Sequence, residues 1–164
     1  MIKFSQPKLN YSKTIKILRE PLKNNFPNEG HLSEKLSQKI SKILKVKYAT
    51  LTTSGSSALL LALKTLNIGH GDEVIVPNFT YQATANAVNL AGAKVVLIDV
   101  DPDNLLIDVK KLKKNISKKT KAIIAVHVSG RGSNILKLKN IARKNKVFLI
   151  EDAAEALFSK YKKK

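Results

Sequence analysis

Glu73-Val74-Ile75-Val76-Pro77, followed by the small-residue segment Thr80–Ala91, Gly92, and then Lys94-Val95-Val96-Leu97-Ile98-Asp99, is the stretch that decides the fold. Both apolar runs lack the polar alternation of a half-solvated strand, so each reads as a strand buried on two faces. The segment between them has helical length and stops at a glycine. Continuous apolar strands separated by helices form a parallel sheet covered on both sides.

The same alternation extends outward. On the N-terminal side, Tyr48 to Thr52 reads as a strand, Ser54-Gly55-Ser56-Ser57 as a turn, and Ala58 to Leu66 as a helix closed by Gly69. Before these, Leu32, Leu36, Ile40 and Ile43 recur at helical spacing with Ser33 as a cap, which predicts a helix near residues 33 to 45. A short helix near Lys13 to Leu22 precedes it, and Pro21 and Pro27 bracket a loop ending at Gly30. On the C-terminal side, Asp101-Pro102-Asp103-Asn104 is a turn and Asp108 caps a short basic helix. Ala122 to Val128, Asn134 to Asn145 and Val147 to Glu151 then read as strand, helix and strand. The fold class is α/β, three-layered, with a mostly parallel sheet flanked by helices.

At 164 residues, with 43% hydrophobic and 26% charged residues, the chain has the composition of a globular protein. Its longest apolar stretches fall far short of the roughly 18 to 20 residues that cross a membrane, and the N-terminus lacks a secretory pattern. With no cysteine there is no disulfide framework, thiolate metal site or cysteine nucleophile. A cytoplasmic location is the expectation. The net charge of +18 invites a nucleic-acid reading. Against it, arginine occurs only at Arg19, Arg131 and Arg143, and 27 of the 30 basic residues are lysines, which lack the bidentate fork suited to phosphates and bases. Aromatic residues, at 5%, are too few for a stacking platform. Lysines such as Lys110, Lys111, Lys137 and Lys139 lie between apolar residues of helical segments and read as solvated faces.

A parallel sheet binds its ligand beyond the carboxyl ends of the strands. At one such end, Ser54-Gly55-Ser56-Ser57 opens a helix, where backbone N–H groups, hydroxyls and the positive helix end converge on an anion; an ordinary capped turn is an equal reading. It is no Walker loop, since the Gly-Lys-Ser/Thr ending is absent. Gly130-Arg131-Gly132-Ser133-Asn134-Ile135 resembles a dinucleotide fingerprint but has Ile135 in place of the third glycine. Asp152 ends a strand as a crevice carboxylate or a helix cap, Tyr81 is a ring platform or a packing residue, and His127 reads as a satisfied core histidine. No His and carboxylate spacing marks a metal site.

An anion cradle, an aromatic face and a carboxylate at neighbouring strand ends are together what a pyridoxal phosphate pocket requires. The runs Thr53-Ser54-Gly55-Ser56-Ser57-Ala58-Leu59, Gly71 to Tyr81 and Val147 to Leu157 resemble those of the DegT/DnrJ/StrS family, fold type I pyridoxal-phosphate-dependent sugar aminotransferases. The resemblance is collinear from about Lys8 to the last residue and includes Lys47-Tyr48-Ala49 and Val126-His127. It implies an N-terminal segment, residues 1–30, and a partial cofactor-binding large domain, residues 31–164. Gly55 and Ser56 are implied to hold the phosphate of pyridoxal 5′-phosphate, with Ser57 close by. Tyr81 takes the place of the stacking aromatic, and Asp152, the one catalytic residue implied within the chain, that of the aspartate paired to the pyridine nitrogen. Glu155 stands where relatives carry Gln or His near the ring hydroxyl, a place where an ionised carboxylate repels a phenolate unless protonated or turned away.

The Schiff-base lysine of the family belongs to a motif expected beyond Lys164, as does the small domain, so the isolated chain is expected to be catalytically silent. The implied activity is a transaminase of nucleotide-linked keto-sugars in amino-sugar and polysaccharide or lipopolysaccharide biosynthesis. Glutamate or glutamine is the implied donor, and the complete enzyme a homodimer. The alternatives are a sugar 3-dehydratase of the same family and a non-catalytic basic binding protein. The third reading is tested directly: binding of duplex DNA by the chain should fall steeply with salt, and filter or gel-shift titrations across unrelated sequences should give ratios below roughly 10³, the lower end for specific binders. A larger ratio for one sequence overturns the solvated-face reading of the lysines.

Overall fold

The computed structural model describes residues 8–23 and 30–161. Pro27, with the rest of the expected loop from 24 to 29, lies outside the described residues, as do residues 162–164. Contacts divide the chain into two compact units on either side of the Leu51–Thr52 bond.

The first unit carries α1 (Tyr11–Lys23) and α2 (His31–Leu44). Helix α1 runs through Pro21, which the sequence reading placed at a loop edge. Pro21 falls in the last turn, where only the helical bond to the Ile17 carbonyl is forgone. Ser33 does not cap α2: the helix starts two residues earlier with Gly30 at the N-cap, and the Ser33 N–H donates to the Gly30 carbonyl at 2.9 Å. The strand expected at Tyr48 to Thr52 does not form. The Ala49 carbonyl instead accepts the Ser37 hydroxyl of α2, and no sheet strand pairs with this segment.

The second unit follows the predicted alternation. Its elements are α3 (Gly55–Thr65), β1 (Glu73–Pro77), α4 (Ala83–Ala91), β2 (Lys94–Ile98), α5 (Val109–Asn115), β3 (Thr120–Val126), a single 3₁₀ turn (Val128–Gly130), α6 (Ile135–Asn145) and β4 (Phe148–Asp152). The four strands form one sheet in the order β2-β1-β3-β4, with every pairing parallel. Ile75 stands opposite Val96 on one side and Ile123 on the other. Caps follow residue chemistry. Asp108 accepts from the N–H groups of Lys110 and Lys111, and Asn134 from that of Lys137. Gly92 ends α4 with φ +88°, where a side chain would be strained.

Two apolar clusters lie on opposite faces of the sheet. Val74, Val76, Ala122 and Ile124 pack with Leu63 of α3 and Ala87, Val88 and Ala91 of α4. Ile75, Ile123 and Ala125 pack with Leu112 of α5 and Leu138, Ile141 and Ala142 of α6. The result is the three-layer α/β arrangement that continuous apolar strands demand.

At the amino edge of the sheet, Glu73 accepts the Ser117 hydroxyl at 2.6 Å and the Lys94 ammonium at 3.3 Å, joining β1 to β2 and to the loop before β3. The Ser117 hydrogen bond, more than Lys94, holds the Glu73 carboxyl below its ordinary 4.5 against the opposing effect of desolvation. The fold thus favours the ionised form, so the contribution is whole above about 4.5 and is lost as pH falls through the lowered value. The difference in Tm between the native chain and Glu73→Gln should accordingly be widest near about pH 7 and narrow toward about pH 3. A gap that stays constant over that range refutes a stabilising role for the ionised Glu73 carboxylate with Ser117 and Lys94.

Candidate functional site

Helices α3 and α4 each lead into the amino end of a strand, so both run antiparallel to the sheet and both begin at its carboxyl edge. The chemistry-bearing residues gather at that edge. Ser54 is the N-cap of α3, and its hydroxyl oxygen accepts the Ser57 N–H at 3.1 Å. The capped-turn reading of this motif is therefore realised, and it leaves room for the other. The N–H groups of Gly55 and Ser56 have no acceptor among the described residues, and a Cβ built on Gly55 meets nothing within 4 Å. Two amides at the positive end of the helix are thus left without a partner, and the space beside the Gly55 Cα is open. Ser57 is engaged: its hydroxyl lies 3.0 Å from that of Ser54 and 3.1 Å from that of Thr53.

Tyr81, a residue 75% exposed, sits just before α4, and its carbonyl accepts the Thr84 N–H at 3.0 Å. Asp152 closes β4. Its Oδ2 accepts the Thr84 hydroxyl at 3.1 Å, and its Oδ1 accepts the Ala154 N–H at 3.2 Å. That first bond brings the start of α4, and with it the Tyr81 segment, to the end of β4. Packing of α3 on α4 within one apolar cluster sets the Gly55–Ser56 amides on the same side of the sheet. Glu155 points elsewhere: its Oε2 accepts the Ser129 N–H at 2.7 Å, tying it to the turn after β3.

Thr84 escapes a search for reactive residue types, though a polar residue on the face shared by Ala87, Val88 and Ala91 is itself a signal. A second pair behind the edge is equally informative. His127 is 7% exposed; its Nδ1 accepts the Ser133 N–H at 3.1 Å and its Nε2 lies 3.0 Å from Glu151 Oε2. With Nδ1 accepting, the ring proton of the neutral imidazole sits on Nε2 and is donated to Glu151. His127 is thus the satisfied core histidine that its sequence context implied. The Gly130–Ile135 segment is likewise built into the protein: Ser159 donates its hydroxyl to the Gly130 carbonyl at 3.1 Å, and the Tyr161 hydroxyl meets Asn134 Oδ1 at 3.0 Å. No group of His, Asp or Glu able to hold a metal occurs among the described residues.

Residues 10–164 match the DegT/DnrJ/EryC1/StrS aminotransferase family. The chain is 39% identical over 130 residues to the GDP-perosamine synthase of Vibrio cholerae, a match covering 79% of this chain and 35% of that protein. A crystal structure of 3-amino-5-hydroxybenzoic acid synthase superposes with a TM-score of 0.91 at 27% identity, covering 98% of this chain and 42% of the other. The structure of NtdA from Bacillus subtilis with bound cofactor PMP matches at a TM-score of 0.75 and 34% identity, covering 77% of this chain and 29% of that one. The chain spans 32 to 38% of the length of the GDP-perosamine synthases it matches.

The His127 arrangement makes a separable stability prediction. In His127→Leu the Ser133 N–H, on a residue 1% exposed, loses its acceptor, and urea unfolding should show a loss of about 1 to 3 kcal/mol. Glu151→Gln keeps an acceptor for Nε2 and lies at an exposed position, so its loss should stay within about 0.5 kcal/mol. Equal losses in the two variants contradict this account.

Proposed function

The chain belongs to the DegT/DnrJ/EryC1/StrS aminotransferase family, and from that premise we propose that it forms the cofactor-binding part of a pyridoxal-phosphate-dependent aminotransferase of nucleotide-linked keto-sugars. The observation that carries the reading is the convergence at one sheet edge of an unpartnered helix N-terminus, an exposed tyrosine and a carboxylate held by two donors. The name of the Vibrio cholerae relative supports a sugar nucleotide as amino acceptor, and the PMP bound to NtdA supports the cofactor. The remaining features of the reading are glutamate or glutamine as donor, a homodimer as the working assembly, a role in amino-sugar and polysaccharide or lipopolysaccharide biosynthesis, a cytoplasmic site of action, and no specific nucleic-acid partner. No helix among the described residues is long and apolar enough to cross a membrane.

The residues present fit the group. The Gly55 and Ser56 amides, aligned with the positive end of α3, take the phosphate dianion, and the Ser56 hydroxyl adds a donor. Ser57 secures the cap beneath them, since its own hydroxyl and N–H already serve Ser54. Tyr81 offers an aromatic face to the pyridine ring. Asp152 receives the proton-bearing ring nitrogen, and its negative charge keeps that proton in place. Pyridoxal phosphate supplies, when bound, an electron sink for the carbon that exchanges its amino group. Glu155, engaged by the Ser129 N–H, holds the neighbouring turn and is kept from the ring hydroxyl, which removes the repulsion its charge would cause there.

Pyridoxamine 5′-phosphate is the suitable probe, because it has the ring and phosphate but no aldehyde to react with the 27 lysines. Calorimetric or fluorescence titration of the chain should show saturable binding that pyridoxamine without the phosphate does not reproduce. Asp152→Ala should weaken it about tenfold or more, the value of a hydrogen bond to a charged group, and Glu155→Gln less than about threefold. Absence of saturable binding, or equal losses in both variants, overturns the assignment.

A further inference from the structure

Threonines inside helices ordinarily return their hydroxyl to the carbonyl one turn back, and this chain has such cases: Thr65 donates to the Leu61 carbonyl at 2.8 Å and Thr14 to that of Asn10 at 2.9 Å. Thr84 does not. It is 1% exposed, on a helix face otherwise made of Ala87, Val88 and Ala91, where a valine of the same shape would be buried without any polar demand. Its hydroxyl is spent on Asp152 Oδ2, 68 positions away in sequence, at 3.1 Å.

The direction of the neighbouring bond follows. An ionised carboxylate only accepts, so Thr84 donates to Asp152. The Thr80 hydroxyl, 2.9 Å from that of Thr84, must then be the donor in that contact, because the Thr84 proton is already committed. The chain Thr80 → Thr84 → Asp152 is a one-way series of donors, each polarising the next. The other carboxylate oxygen is held from a different element by the Ala154 N–H at 3.2 Å. One donor on each oxygen fixes the carboxylate plane and leaves lone pairs on both for a further donor. The series also begins one residue before Tyr81, so it ties the aromatic segment to the acid.

We infer that Thr84, supported by Thr80, is a positioning residue that sets the Asp152 carboxylate for the protonated ring nitrogen of the cofactor, through its hydroxyl and not its bulk. The inference rests on the site reading above. With Val at position 84 the carboxylate keeps only its Ala154 anchor and turns about its side-chain axis, so the ring nitrogen meets an acid that is present but misaligned.

The test uses this chain with pyridoxamine 5′-phosphate labelled with ¹⁵N in the ring. It reads both the dissociation constant and the ring-nitrogen shift, at a pH where the free probe is largely unprotonated. Native protein should hold the ring nitrogen protonated. Thr84→Val should weaken binding about 10- to 100-fold, the scale for removing an orienting partner, and shift the ring nitrogen toward its unprotonated value. Thr84→Ser, which restores the hydroxyl without the methyl, should stay within about threefold of native. In an Asp152→Ala background, Thr84→Val should add no further loss. Thr80→Val, which leaves the Asp152 bond in place, should act in the same direction by about threefold, and it decides the matter if Thr84→Val does not fold by circular dichroism. Native-like binding and shift in Thr84→Val or Thr80→Val, a loss in Thr84→Ser equal to that in Thr84→Val, or additivity in the Asp152→Ala background overturns the inference while leaving the site reading intact. An Asp152→Ala variant with native affinity and shift instead overturns the site reading, and this inference with it.

Discussion

Val74 and Val76 turn from β1 toward α3 and α4, Ile75 turns toward α5 and α6, and none of the three reaches water. The burial of the central strands on both faces is the constraint on which the rest of the second unit depends. Side chains along such strands are confined to apolar residues, because an uncompensated polar group between two layers costs several times a typical hydrogen bond. Polar chemistry is therefore expelled to the strand ends. Helices that return to the amino edge begin at the carboxyl edge, so their unpaired N–H groups collect where the expelled polar residues stand. The site is a consequence of the layering.

The two helical layers differ in charge, and the difference bears on how each face is used. Residues 78–93, which include α4, contain no charged residue at all. On the other side, α5, α6 and their flanking loops hold most of the exposed lysines of the unit, offset by Asp99, Asp101, Asp103 and Asp108 but by no glutamate. Asp99 carries part of this field: its carboxyl lies below its ordinary value because of the hydrogen bond from Lys111 at 2.5 Å. With α4 uncharged and the one charged residue of α3, Lys64, in its last turn and bonded to the Ala91 carbonyl, the local charge balance at the site edge rests with few groups, the α3 amides and Asp152, and neither is swamped by neighbouring lysines.

The elements of the second unit were legible because each carries its own period and its own cap. Asp108, Asn134 and Gly92 mark helix ends for local reasons that no tertiary contact overrides. Tyr48 to Thr52 misled because strand propensity is a statement about a pleated surface, and this segment has no strand to pair with. Pro21 misled because a proline near a helix end forgoes one bond without terminating the helix. Within the site, Gly55, Ser56, Tyr81 and Asp152 were visible as residue types at strand ends. Thr84 was not, since its meaning lies in a contact across 68 positions of sequence, and the direction in which Glu155 points was equally beyond a one-dimensional reading.

The adjacent acids Glu151 and Asp152 illustrate how much a two-residue period decides. Ile150 packs with the α3 and α4 cluster and Leu149 with the α5 and α6 cluster. Extending that alternation sends Asp152 to the first side and Glu151 to the second. The contacts obey it: Asp152 meets Thr84 of α4, whereas Glu151 meets His127, whose own parity along β3 places it on the α5 and α6 side. One carboxylate is thereby presented at the edge over which the α3 amides and Tyr81 stand, and the other is spent holding the turn that leaves β3. Exchanging their roles would require a one-residue slip of β4, which would expose Ile150 to the wrong cluster and carry Leu149 out of its own. Core packing of two aliphatic residues thus selects which of two neighbouring acids is available for chemistry.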